Sequence, residues 1–333
     1  MQFDYSPLNQ KVSVSEALSK SVMTDFMKPL FSGPINLFVS NFVALCVLLA
    51  SLIFFTAWFW IIFVILSIIY LYFGISYVSE KNAIRMRNFA KLNGFKYEEY
   101  YNIDGAGWSA MLFSVGHSKS FNDLLTSSDG LVVGGYSYSV GEGKSETVYD
   151  YTVAFFKTSK RLPATIFDNK ELLKVFGSLP IMPNKSQKVA LEGDFGDFFD
   201  VYLPEGYHVD VLSYITPEIM MFMKERMRKY NIEIIDDKVF IYKKQKYNVK
   251  RDLTNFITDL TDFITELNDN TDKYKDDRVT PRFTASNSIA PAGQRLKVSF
   301  ISILLSNKIL VVVVALFIYL ILFGLATRLF DSH

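Results

Sequence analysis

Cysteine and histidine are scarce in this chain of 333 residues, which has one cysteine and three histidines. The single Cys46 excludes an intrachain disulfide and any zinc site built from several cysteines. No predominance of one charge is present either, because 35 basic and 34 acidic residues leave a net charge of +1. That balance argues against an ordinary nucleic-acid-binding protein. We therefore predict no metal, no cofactor and no nucleic-acid partner.

Charge is also missing from one long segment near the start of the chain. Residues 29–79 contain no Asp, Glu, Lys or Arg. As one straight helix, the apolar part at 35–78 would reach roughly 66 Å, about twice the thickness of a hydrocarbon core. We therefore predict a hairpin of two transmembrane helices, approximately 35–55 and 58–78. A single long helix is the alternative that the run leaves open.

A second uncharged run, 309–327, is long enough for another transmembrane helix and lies between Lys308 and Arg328. With two helices in the hairpin, the chain before the hairpin, after it and before the last run lies on one side of the membrane. Nearly all basic residues close to the apolar runs are on that side, and only Arg328 follows the last run. The positive-inside rule then places the N-terminus and the central region in the cytoplasm. We predict a multi-pass protein of the cell inner (plasma) membrane.

The chain between the apolar runs predicts an α+β fold class with a mostly antiparallel sheet. The predicted organisation is a cytosolic segment 1–34, a transmembrane helix hairpin 35–78, a cytosolic α+β domain 79–268, a flexible linker 269–308 and a transmembrane helix 309–327.

Several local patterns within the domain predict individual elements. Gly94 suits the left-handed cap of a helix that leaves the membrane, and Thr216-Pro217 is typical of a helix start. The apolar residues of 253–267 recur at helical spacing, and the opposite face is acidic. We expect one hairpin turn at 141–144 and a second at Asp236-Asp237, between two short strands.

Two groups of charged residues are candidates for chemistry. A carboxylate cluster at Asp194–Asp200 has the wrong spacing for a calcium loop, but it is a candidate for acid/base chemistry. A basic cluster follows the last predicted strand and could bind anionic lipid headgroups. Its members are Lys243, Lys244, Lys246, Lys250 and Arg251. An ordinary solvated loop is the alternative. We assign no catalytic residue.

Two short motifs resemble those of a family of bacterial membrane proteins that is known only as a domain of unknown function. The motifs are Leu191-Glu-Gly-Asp-Phe195 with Phe199-Asp-Val201-Tyr202, and Ile215-Thr-Pro217-Glu-Ile219-Met220. Gly193, Gly196 and Ile215 depart from the family pattern. The resemblance covers about residues 35–268 and implies an inner-membrane protein with a cytosolic α+β domain. It implies no activity and no catalytic residues.

Two functions follow as hypotheses. The first is a membrane-tethered cytosolic module that binds or scaffolds a protein or lipid partner and is not an enzyme. The alternative is a membrane-bound hydrolase or transferase that uses the carboxylates near Asp194–Asp200.

Overall fold

Strands and helices both occur in the computed structural model, which describes residues 3–13, 16, 45–46, 57–103, 109–170, 183–245, 252–272, 274–279 and 288–298. The strands are β1 Lys96–Asn102, β2 His117–Thr126, β3 Val132–Val140, β4 Thr147–Asn169, β5 Lys188–Val189, β6 Phe199–Tyr202 and β7 Asn231–Lys243. The described helices are α1 Ala57–Asn93, α2 Pro217–Phe222, which continues into a π-helical turn at Met223–Met227, and α3 Leu253–Thr271. The predicted α+β class with an antiparallel sheet is confirmed.

The long strand β4 is the centre of the sheet. The strand order is β1-β2-β3-β4-β6-β5, and β7 pairs with β4 outside that path. β4 pairs antiparallel with β3 along its first half, with β6 at its end and with β7 on its other side. Because β4 has neighbours on both sides, most of its residues are buried even where their side chains are polar.

The predicted hairpin at Asp236-Asp237 is wrong. Residues on both sides of this pair belong to one strand, β7, and both halves of β7 pair with β4. Asp236 has a φ of 60° in the left-handed region, and the β4–β7 register shifts near it. An aspartate tolerates that conformation better than most residues. The acidic pair therefore marks an irregularity within a strand rather than a chain reversal.

Other local predictions are confirmed. Thr216 caps α2, and its Oγ1 accepts a hydrogen bond from the Ile219 N–H at 3.5 Å. The turn at 141–144 joins β3 to β4. The apolar stripe of α3 is buried along its length, and its Phe263 ring packs edge-on against Phe156 of β4 at 6.4 Å.

The chain divides into two compact units. The first comprises Met1–Glu99, Asp123–Ser128 and Tyr247–Phe256, and the second comprises Tyr100–Asn122, Asp129–Lys246 and Ile257–His333. In the first unit, the C-terminal half of α1 packs against the start of the chain. The rings of Tyr5 and Phe89 are stacked at 5.8 Å, and Asp4 and Asn93 exchange hydrogen bonds of 2.7 and 2.9 Å.

α1 ends as the sequence predicts. Gly94 has a φ of 72°, and the N–H of Phe95 reaches the carbonyl of Ala90 at 2.9 Å. This 6→1 hydrogen bond is the pattern of a Schellman cap. By length and composition, α1 could cross a membrane over its segment Ile62–Asn93. The predicted spans at 35–55 and 309–327 lie outside the described residues, apart from Leu45 and Cys46, which are helical.

Parts of the predicted linker pack onto the second unit. Tyr274, Asp276 and Ile289 are buried, and Val298 forms a bridge to Pro183. These buried residues could not be predicted from the polar composition of the segment, because each is a single residue outside any periodic pattern.

Candidate functional site

A cavity of about 490 Å³ lies in the second unit beside the irregular stretch of β7. Its walls come from β4, β7, the 3-10 turn that begins at Met111, and residues 294–296. The apolar residues that line it are Met111, Ala164, Ile166, Ile234, Ile235 and Leu296. Charged side chains are those of Arg161, Glu233, Asp236, Asp237, Lys238 and Arg295. The volume is within the range of small-molecule sites.

The cavity lies where the β4–β7 pairing is irregular. The register shifts twice between Lys157 and Thr165 of β4, and Arg161 lies in this stretch. Strand irregularities of this kind redirect side chains and open space next to a sheet. The local backbone of β4 and β7 therefore produces the cavity.

Glu233 is a fully buried carboxyl in the cavity wall. Its Oε1 accepts a hydrogen bond from the Tyr242 hydroxyl at 2.5 Å, and its Oε2 accepts one from the Met111 N–H at 2.8 Å. Burial raises the pKa of Glu233 to about 7, since a charged carboxylate is costly away from water. The hydrogen bonds from Tyr242 and from the backbone of Met111 and Leu112 oppose this rise, and the buried Asp168 adds to it.

Buried tyrosines continue from Glu233 along the sheet. The rings of Tyr242 and Tyr151 meet edge-on at 6.2 Å, and Tyr151 and Tyr138 are stacked at 5.8 Å. Burial raises the pKa of Tyr242 well above its usual value, so that the hydroxyl keeps its proton and remains a donor to Glu233. These tyrosines place hydroxyl groups in the core, and none of the three lines the cavity.

The charges around the cavity are of both signs. Arg161 Nε lies 3.2 Å from Asp236 Oδ1, and both side chains are nearly half exposed. Within the described part of the chain, no ion pair engages Lys238 or Arg295. Two cations are therefore available at this cavity.

The predicted basic cluster is described only in part. The Nζ of Lys243 lies 5.7 Å from the centre of the Tyr230 ring, and the Nζ of Lys244 lies 5.1 Å from that of Tyr149. Each is within the range of a cation–π contact. Lys246, Lys250 and Arg251 lie outside the described residues. Lipid binding by this cluster stays a prediction.

Two carboxylates of the predicted cluster, Asp194 and Asp200, pair with lysines. Asp194 pairs with Lys224, whose hydrogen bond lowers the pKa of the carboxyl. Asp200 lies between Lys170 at 3.0 Å and Lys188 at 2.8 Å. Neither carboxylate lines the cavity beside Glu233. Among the described residues, no group of three His, Cys, Asp or Glu side chains is placed to hold a metal ion.

The acidic face predicted for α3 has a structural role in part. Arg226 donates hydrogen bonds to Asp259 at 2.8 Å and to Asp262 at 2.5 Å. The guanidinium of Arg226 also lies 5.1 Å from the centre of the Phe222 ring. Part of this face therefore binds the end of α2 instead of facing solvent alone.

Sequence reasoning missed Glu233 and its cavity. One signal was present, because Glu233 is the only charged residue in the run Asn231–Ile235, which otherwise reads as a core strand. A charged residue in such a run is buried only with partners. Its partners, Tyr242 and Met111, are brought to it by the irregular strand and by a distant turn, and no local pattern reveals either.

Comparisons with known proteins identify no family for this chain. No family model matches the chain, and no curated protein matches it. Among solved structures, the chain is similar to the crystal structure of the mycobacterial trehalose monomycolate transport factor A, TtfA, at 11% identity and a TM-score of 0.40. The match covers 57% of this chain and 94% of that one. Similarity at this level carries no conclusion about function, so the proposals below depend on the residues alone.

Proposed function

We propose that this chain is an integral protein of the plasma membrane whose cytosolic α+β domain binds a protein or lipid partner at the membrane surface. The observation that carries the proposal is the exposed apolar surface of α1. Eight apolar side chains along this helix are each 40% or more exposed, namely those of residues 64–66 and 68–72. Successive residues of a helix point in different directions, so every side of this stretch is apolar.

A helix that is apolar on all sides suits a protein core or a bilayer, not water. An amphipathic docking helix would instead show one apolar stripe and one polar face. Because these side chains are exposed among the described residues, the bilayer is the environment that satisfies them best.

The same helix continues without interruption into the part of the first unit that packs against the start of the chain. From Ala83 to Ala90 its inner face is buried, and Arg85 is held by the carbonyl of Gln10 at 3.2 Å. A continuous helix from lipid to protein would hold the folded residues close to the membrane. Such an arrangement suits a module that meets membrane-bound partners.

The distribution of basic residues supports a cytoplasmic location for the N-terminus and the main domain. Several passes are proposed from the length of the uncharged runs at 35–78 and 309–327. Contact with lipid headgroups would involve the predicted cluster at Lys243, Lys244, Lys246, Lys250 and Arg251. The lysine pairs of Asp194 and Asp200 favour binding over the alternative hydrolase or transferase, because both carboxylates have cationic partners.

Membrane extraction of the full chain tests the proposal. The triple variant Val64→Arg, Ile68→Arg and Leu71→Arg places three charges on one side of α1, each costing about 2.5–3.5 kcal/mol near the centre of a bilayer. We expect the wild-type chain to stay in membranes during carbonate extraction and the variant to be released or degraded.

A matched control uses three apolar residues of similar exposure on the second unit. Val148, Val209 and Met221 are 60%, 75% and 58% exposed. Changing all three to Arg should leave extraction unchanged. Release of the wild-type chain by carbonate, or equal behaviour of the two triple variants, would contradict membrane insertion of α1. Reporter fusions at Gly143 then test the side, and an extracytoplasmic signal there would overturn the orientation.

A further inference from the structure

We infer that the cavity beside Glu233 binds an amphipathic molecule that has one hydrocarbon chain and an anionic head group. This inference deepens the proposed function, because it names the class of lipid-like ligand and the place where the domain would hold it. It is carried by the cavity's volume, its apolar wall and the two cations beside it.

The apolar wall suits a hydrocarbon chain. Ala164 and Ile166 come from β4, and Ile235 comes from β7. Met111 and Leu296 complete this surface from two loops. A flexible thioether such as that of Met111 adapts to chains of different shape. A volume of about 490 Å³ is enough for one chain but is small for a two-chain lipid.

The negative charge of the proposed head group follows from the cations that remain available at the cavity. The charge of Arg161 is already balanced by Asp236 at 3.2 Å. Lys238 and Arg295 have no ion pair within the described residues, and the half-buried Asp237 is the one further carboxylate in the wall besides Asp236 and the buried Glu233. The remaining balance is positive, and an arginine is well suited to a carboxylate or phosphate because it can donate two parallel hydrogen bonds.

Glu233 acts here as a positioning residue. Its Oε2 holds the Met111 N–H at 2.8 Å, and so it fixes the 3-10 turn that forms one wall. Its carboxyl is fully buried and hydrogen-bonded to Tyr242, so it does not place an exposed negative charge in the path of an anionic ligand.

Photo-crosslinking of the full chain in neutral phosphatidylcholine nanodiscs tests the inference. The probes are a C16 fatty acid that carries a diazirine in its chain, the corresponding primary alcohol and the corresponding primary amine. Mass spectrometry maps the labelled residues. We expect the acid to label residues 109–114, 161–166 or 294–298 more strongly than either other probe does.

Variants separate the head-group contacts from the chain contacts. The double change Lys238→Glu and Arg295→Glu should lower cavity labelling by the acid about tenfold, as the loss of charge-assisted hydrogen bonds predicts, and leave labelling by the alcohol unchanged. Leu296→Trp should fill the cavity and lower labelling by both probes. Lys144→Glu is the matched charge control, because Lys144 is exposed in the β3–β4 turn and does not line the cavity.

Equal cavity labelling by the three probes, stronger labelling by the amine, or no response to the double change would overturn the inference. Labelling confined to α1 would also overturn it, while leaving the proposed membrane insertion intact. Conversely, release of the chain by carbonate would refute membrane insertion whether or not the cavity is labelled, so the two failures can be told apart.

Discussion

The Tyr242 hydroxyl donates a hydrogen bond of 2.5 Å to Glu233, although the two residues are nine positions apart on the same strand. In a regular strand, residues an odd number apart point to opposite faces. Asp236 lies between them with a φ of 60° and interrupts the alternation. The irregular strand therefore brings an acid and a phenol to one side of the sheet and makes a buried polar pair.

The first prediction concerns the pH dependence of stability. The pKa of Glu233 is about 7 in the folded chain, against a usual value of 4.5, so the folded state holds this proton more tightly than the unfolded state does. Glu233 therefore contributes most to the free energy of unfolding below about pH 4.5, and this stabilising contribution is lost as the pH rises to about 7. The loss is on the order of 3 kcal/mol.

Glu233→Gln should remove this part of the pH dependence. Chemical unfolding of the full chain in non-ionic detergent, followed from pH 4.5 to 8, gives the slope for each protein. We expect the free energy of unfolding of the wild type to fall more steeply over this range than that of the variant. Tyr242→Phe is the control that keeps the carboxyl, and it should retain a steep slope. Parallel slopes for wild type and Glu233→Gln would contradict the assignment.

The second prediction tests the irregular strand. Asp236→Val places a β-branched residue at a φ of 60°, which should destabilise the fold by about 1–2 kcal/mol. The Arg161 pair is solvent-exposed, so its loss adds little. The measurement is the midpoint of denaturant unfolding.

Asp237→Val is the matched control, because Asp237 is the adjacent aspartate and does not have a positive φ. Valine favours strands, and this change should therefore be nearly neutral. If the two valine variants are equally stable, the left-handed conformation at Asp236 is wrong.

How much the sequence could predict depends on how local each signal is. The caps at Gly94 and Thr216 and the stripe of α3 depend on residues within a few turns, and all three were predicted. The Asp236-Asp237 pair has the local composition of a turn, yet both of its flanks pair with β4. A strand of 23 residues that pairs along nearly its whole length cannot be recognised from composition, because its partners are distant in sequence.

The cavity was even harder to predict from the sequence. Its wall joins residues near 111, 164, 234 and 295, and no spacing rule relates these positions. The polar segment after α3 was predicted as a linker because apolar residues are sparse there. Its few apolar and acidic anchors pack onto the second unit all the same, as Asp276 shows by accepting a hydrogen bond from the Tyr207 hydroxyl at 2.9 Å.

The third prediction tests the packing of that segment. A Cβ added at Gly293 would lie 2.5 Å from Cζ of Tyr207 and 2.7 Å from Cγ2 of Ile289. Gly293→Ala should therefore destabilise the chain by about 1–3 kcal/mol through overpacking. Gly196→Ala is the control, since nothing lies within 4 Å of a Cβ there. Equal unfolding midpoints for the two alanine variants would show that residues 288–298 do not pack in this way.

The last prediction concerns the basic cluster at Lys243, Lys244, Lys246, Lys250 and Arg251. If these residues face anionic headgroups, each cation gains about 1 kcal/mol near the surface, and salt screens this attraction within a Debye length of about 10 Å. Acetylation of lysines by a water-soluble reagent can report this contact in the full chain. In nanodiscs with anionic lipid, the cluster lysines should react several-fold more slowly than in neutral nanodiscs, and high salt should restore their reactivity.

The same molecule supplies the control, because the exposed Lys144 should react equally in both kinds of nanodisc. Lys243 and Lys244 also contact the rings of Tyr230 and Tyr149, respectively. Because these contacts are within the protein, they should slow acetylation equally in both kinds of nanodisc. The ratio of the acetylation rates in the two kinds of nanodisc therefore isolates the effect of the headgroups. Unchanged ratios at the cluster lysines would mean that the cluster is an ordinary solvated surface. The partner of the domain would then have to bind elsewhere, with the cavity beside Glu233 as the remaining candidate.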